Sequence, residues 1–148
     1  MSLGYFDDLD DARDYFTTER LETWAWDELF SSAGTAEIKA IKNAFNRLYY
    51  DPKWSLPTYA LATPAQLIKL KKANGEMAYY LIVHLADEDS RKGLQAQGVT
   101  DAGIVKEKYS STDLMTLPVP PFVATLLKEW EVPAVCGGLV YITRDEDV

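Results

Sequence analysis

The stretch from Thr63 to Glu88, TPAQLIKLKKANGEMAYYLIVHLADE, constrains the fold more than any other part of the chain. Thr63 precedes Pro64: a hydroxyl there can accept from an orphan backbone N–H at a helix start, and a proline in the first helical position needs no donor. Leu67, Leu70, Asn74, Met77, Leu81, His84 and Glu88 recur at spacings of three and four, while Lys69, Lys71 and Lys72 wet the other faces of the first half. From Met77 to Ala86 the one strongly polar residue is His84, so the second half is apolar all round and needs cover on every side. This run is too short to span a bilayer and is flanked by charge, so it reads as a helix end buried in a bundle or between subunits, with no membrane as partner. At about 25 residues the helix is roughly 37 Å long, more than a domain of this size needs across its core.

The chain has 148 residues, 47% of them hydrophobic, which predicts a single domain with a moderate core and excludes a disordered chain. Charge bears more directly on function. Fifteen basic residues face 23 acidic ones, and a protein that grips nucleic acid by its phosphates needs a positive patch. Lys69, Lys71 and Lys72 are a local basic surface, read more simply as a solvated helix face. The single cysteine, Cys136, excludes an internal disulfide and any cysteine-cluster metal site. The acidic start, MSLGYFDDLDDARD, has no apolar core and does not resemble a signal peptide, which predicts a soluble protein made and used without export.

In chain order, Asp7, Asp8, Asp10 and Asp11 precede a helix predicted to about Arg20, with Leu9, Ala12, Tyr15 and Phe16 on one face. DDLDDARD lacks the alternating ligands, turn glycine and distal Glu of a calcium loop, so the four carboxylates read as caps and dipole partners. Leu21, Trp24 and Trp26 form an aromatic knot before the turn residues 31–35. A second helix is predicted from Thr35 to about Tyr50, with Ile38, Ile41, Phe45, Leu48 and Tyr49 repeating three and four apart, and Asp51-Pro52 ends it. Residues 53–62, carrying Trp54, Leu56, Pro57 and Tyr59, are an extended crossover laid over the bundle. After Glu88 the helical period is lost: Gly93, Gly98 and Gly103 punctuate a hairpin or extended arm over 91–118, with a β-like run from Ile104 to Tyr109. A last helix starts at Pro120-Pro121, with Phe122, Val123, Leu126, Leu127 and Trp130 on one side, and Pro133 stops it. Beyond Gly137-Gly138, the β-prone Leu139-Val140-Tyr141-Ile142-Thr143 is either a strand lent to a partner or one closing on the chain's own arm.

Chemistry is sparse. His84, the only histidine, lies in the apolar helical end and reads as a core or interface residue rather than a catalytic base. Pairing it with Cys136 would make a nucleophile dyad, but that cysteine sits in a glycine-rich tail with no orienting group in view. GLQAQG and CGGL lack the Lys-Ser/Thr and strand-to-helix setting of a phosphate loop. No zinc, flavin or nucleotide signature is present. No catalytic, metal or cofactor-binding residue is assigned, no cofactor is expected, and the chain reads as a non-enzymatic interaction protein.

The order of segments carries further information. Asp11-Ala12-Arg13-Asp14-Tyr15-Phe16, the tryptophans at 24 and 26, a helix ending in Arg47-Leu48, Trp54, and the proline-started helix at 64 are followed by Gly98-Val99, Lys106-Glu107-Lys108-Tyr109, and Leu117-Pro118 before Phe122 to Leu127. Taken in that order, over most of residues 5–130, the chain resembles the head–tail adaptor proteins of tailed bacteriophages. The resemblance implies a small helical bundle, which the residues themselves fill out as a mainly α fold of about four helices with the β-like arm 91–118 inserted in a domain of residues 1–130 and, beyond the stretch the resemblance covers, a strand-like docking tail at 131–148. It implies a virion protein of the neck, assembled in the host cytoplasm as a ring, commonly of twelve copies. The ring would bind the portal protein on one side and a tail or stopper protein on the other, and DNA would pass through its channel without specific binding. Met77, Tyr80, Leu81 and His84 on the long helix, with Leu139, Val140, Tyr141 and Ile142 on the tail, are the candidate subunit or partner contacts. Part of this wider group is similar to a single-stranded-DNA-binding primosomal protein, which makes a DNA-binding accessory protein the alternative.

Overall fold

The computed structural model describes residues 2–29, 34–96, 101–102, 107–108 and 119–133, with side chains of the long helix described through Leu85. The protein is mainly α-helical. Among the described residues the α-helices are α1 (Leu9–Thr18), α2 (Trp24–Asp27), α3 (Thr35–Tyr49), α4 (Pro64–Ala96) and α5 (Pro121–Leu126), with a 3-10 turn over Lys128–Trp130. A two-residue antiparallel ladder pairs β1 (Asp101–Ala102) with β2 (Glu107–Lys108).

α4 is the hub, packing against each of the other four helices. Its start is a reciprocal cap: Thr63 Oγ1 accepts from Gln66 N at 3.3 Å, and Gln66 Oε1 accepts from Thr63 N at 3.0 Å. The predicted stripe is buried over Leu70, Asn74, Met77 and Leu81, widened by Ala73, Ala78 and Tyr79. The helix has 33 residues and runs beyond Glu88 to Ala96, so residues 91–96 belong to it and not to the arm. Arg91, Lys92, Leu94, Gln95 and Ala96 are good helix formers, and a single interior glycine costs only about 1 kcal/mol, too little for Gly93 to end the helix. Within the arm, Glu107–Lys108 of the predicted β-like run pair antiparallel with Asp101–Ala102, which lie before that run.

α1 begins at Asp8, whose carboxylate accepts from Asp11 N at 2.9 Å, and Asp11 in turn accepts from Asp7 N. Two of the crowded aspartates are therefore caps, as expected. Phe16 stacks on Trp26 with ring centroids 4.0 Å apart, which fixes α2 on α1. Leu21 and Trp24, expected in the same knot, point outward. Tyr15 lies against Gly75 of α4, where a Cβ would sit 2.5 Å from the ring; the absent side chain is what lets the two helices approach.

The N-terminal turn closes through paired bonds between Leu3 and Phe6 and buries Leu3, Tyr5 and Phe6 against the bundle. Gly4 takes φ +62° there, with the buried amide of Asn74 behind it. The crossover packs as predicted, with Trp54 buried, Tyr5 Oη donating to the Pro57 carbonyl at 2.6 Å, and Tyr59 donating to Asp7. Residues 130–132 pair with 53–55: Ser55 N donates to Trp130 O and Val132 N to Lys53 O, both at 2.9 Å. The bundle thus reaches past residue 130 into the segment read as tail. In α5, Val123 and Leu127 are four apart and line the core, which turns Phe122 out to 54% exposure rather than onto the same side.

Glu37, in the first turn of α3, is fully buried, and its carboxylate takes a two-point contact from Arg13 of α1 at 2.8 and 3.0 Å. Arg13→Met strands that carboxylate, and since the guanidinium is partly solvated the expected loss is about 2–3 kcal/mol by denaturant unfolding. Adding Glu37→Leu to it is expected to recover most of the loss, whereas a double variant no more stable than the single one would show that the pair is not the seat of the effect. Leu81→Asp is expected to cost several kcal/mol and to lower the melting temperature steeply, because a carboxylate at that site has no partner.

Candidate partner-binding face

Past the middle of α4 the core gives way to a surface of aromatic rings. Tyr80 is half-buried and meets the exposed His84 one turn on, ring centroids 4.8 Å apart. Across a cleft of about 300 Å³ stand Pro120 and Phe122 at the start of α5, and its floor holds Glu76, Tyr79 and Val83. Arg20, at the end of the α1 connection, closes the near side: Nε donates to Glu76 Oε2 at 2.7 Å and the guanidinium carbon lies 3.5 Å from the centre of the Tyr79 ring. Tyr15 also bonds Glu76, and burial, followed by that carboxylate's charge, pushes the Tyr15 phenol up, so it stays a donor through the neutral range. The carboxylate is therefore matched by a cation and a hydroxyl, and the face is aromatic with little net charge.

Four of the sequence-predicted contacts fall on α4 and the structure separates them. Met77 and Leu81 are consumed by the chain's own core, which corrects their assignment to a partner surface. Tyr80 and His84 lie together on the outer face. His84 was read as a core or interface residue, and its exposed position past Leu81 leaves the second of those readings. Leu139, Val140, Tyr141, Ile142 and Cys136 lie outside the described residues. Arg20, Glu76 and Phe122 were missed. Arg20 and Glu76 are 56 residues apart, so no spacing connects them, and Phe122 was assigned inward because two adjacent apolar residues compete for one face.

The basic triplet is not an open surface. Lys71 Nζ lies 2.7 Å from Asp11 Oδ2, Lys69 Nζ lies 2.6 Å from Glu129 Oε1, and Lys72 Nζ is 3.7 Å from Glu19 Oε2. Among the described residues no three His, Cys, Asp or Glu side chains gather closely enough to hold a metal ion, and no helix is long and apolar enough to cross a membrane. Comparison of the chain with protein-family models, with curated proteins and with solved structures gives no match.

Because Tyr80, His84 and Phe122 carry contact area rather than core, His84→Gln and Phe122→Ala are each expected to change unfolding free energy by less than about 1 kcal/mol. A cooperative loss of structure in either variant, followed by circular dichroism, would make this face part of the fold and not a surface.

Proposed function

We propose that the chain is a structural assembly protein of the head–tail adaptor kind, whose copies form a ring under a portal and offer a surface to a tail or stopper protein. The observation that carries the reading is the reach of α4. The helix spans about 50 Å and continues for fifteen residues past Leu81, its last buried residue among those described. An element longer than its own core offers a neighbouring subunit a surface to pack on, and the aromatic face at Tyr80, His84 and Phe122 lies where that extra length begins. The acidic balance fits a wall past which DNA must slide, since phosphates repelled from it do not stick.

A DNA-binding accessory role is the weaker alternative, because Lys69, Lys71 and Lys72 are already paired with carboxylates of the same chain. Light scattering of the purified protein, alone and mixed with a candidate portal, tests the proposal. A high-mass ring, or a monomer that assembles only with the portal, is expected. A monomer under both conditions that binds single-stranded DNA with steep salt dependence would replace this reading with the accessory one.

A further inference from the structure

A second cleft, of about 470 Å³, opens between the outer face of α3 and the crossover, lined by Lys42, Phe45 and Asn46 on one side and Thr58, Tyr59 and Ala60 on the other. One lysine, Lys42, lines it, and Tyr59 on the opposite wall donates to Asp7. Lys39 and Lys42 are neighbours one turn apart on α3, and no carboxylate among the described residues pairs with either, in contrast to the three engaged lysines of α4. An aromatic track continues the cleft toward the end of α3. Phe45 stacks on Tyr49 with centroids 5.2 Å apart, and Tyr49 meets Tyr50 edge-on at 5.1 Å. Tyr50 is 74% exposed, and Leu61, beside Ala60, is 77% exposed.

The track finishes where the described chain finishes. Lys53, three residues after Tyr50, accepts from Val132 N at 2.9 Å, and Pro133 follows. The sequence beyond is a short link, Ala134-Val135-Cys136-Gly137-Gly138, then the apolar run Leu139 to Ile142, then Arg144 with Asp145, Glu146 and Asp147. The two orders correspond. From Tyr50 back to Lys42 is about 12 Å of helix, and Leu139–Thr143 in extended form covers about 16 Å, so the three carboxylates arrive at Lys42 and Lys39.

We propose that the cleft and its aromatic track are the docking site for the chain's own residues 139–147, folded back antiparallel to α3. Leu139 to Ile142 cover Tyr50, Tyr49 and Phe45, and Asp145, Glu146 and Asp147 meet Lys42 and Lys39. Tethering makes the segment's local concentration high, so modest contacts are enough. This concerns one chain by itself and does not depend on the ring.

The test is photo-crosslinking in the full chain with Tyr141→benzoylphenylalanine, read by peptide mass spectrometry on a mixture of isotopically light and heavy protein. Adducts to residues 45–61 joining light to light and heavy to heavy are expected. Lys39→Glu with Lys42→Glu should lower their yield roughly fivefold, since exposed ion pairs are individually weak, with circular dichroism and melting temperature unchanged. Adding Asp145→Lys, Glu146→Lys and Asp147→Lys to that variant should restore the yield. Adducts on the Tyr80 and Phe122 face, adducts only between light and heavy chains, no adducts, or a yield indifferent to charge would each overturn the proposal. None of these readouts changes with assembly on a portal, so failure here and failure of the adaptor reading are distinguishable.

Discussion

The bundle rests on one wide stripe of α4: Leu70, Ala73, Asn74, Met77, Ala78, Tyr79 and Leu81. All four other helices close on this helix, so the stripe is the common wall of the core. Its composition explains its breadth. Gly75 has no side chain, which lets the Tyr15 ring seat directly on the α4 backbone, while Ala73 and Ala78 are small and Leu70, Met77 and Leu81 supply apolar bulk. A fully buried side chain of that size contributes about 1.5–3 kcal/mol, a large share of the roughly 5–15 kcal/mol that holds a typical domain folded. Asn74 is the exception, a buried amide for which no described residue provides a hydrogen bond, facing the glycine of the N-terminal turn.

Charge supplements this wall at its near end. Lys71 reaches the aspartates at the start of α1, Lys72 reaches Glu19 just past its end, and Lys69 reaches Glu129 in the 3-10 turn. Exposed pairs of this kind contribute about 0–1 kcal/mol each, so their main effect is on register: a single turn of α4 meets three separate points on the surrounding chain. The same contacts have a functional consequence, because they pair with carboxylates the cations of this helix that a nucleic-acid reading would use. Net charge alone foreshadowed this; only the fold shows where the lysines go.

What the sequence made legible follows from local physics. The starts of α1, α3 and α4, the mainly α class, the extended crossover and the proline-led α5 are each set by caps, turn residues and a 3.6-residue period, all of which act within a few positions. The extension of α4 to Ala96 was hidden because glycine is a weak helix breaker that was read as a strong one. Glu37 was hidden because nothing adjacent marks a carboxylate for burial; its partner Arg13 lies 24 residues away. Phe122 was placed inward from its apolar neighbours, and that inference fails where two apolar residues stand side by side; His84 was read as either core or interface, a choice that depends on where the buried stripe runs out. The candidate face was accordingly half legible: Tyr80 and His84 could be named from the helix, whereas Arg20, Glu76 and Phe122 needed the tertiary arrangement.

α4 is therefore held differently along its length. Its early turns carry ion pairs in solvent beside the buried Leu70, and salt screens those pairs over about 10 Å at 0.1 M, whereas the close apolar contact that holds its middle is not weakened in that way. The aromatic face begins on the apolar-held part, with Tyr80 one residue from the buried Leu81 and Phe122 one residue from the buried Val123. Side chains mounted on elements fixed by core contacts lose little further freedom when a partner covers them. A surface of three rings standing on two packed helices is in this sense pre-organised. Its contact energy can go into holding a partner rather than into ordering itself.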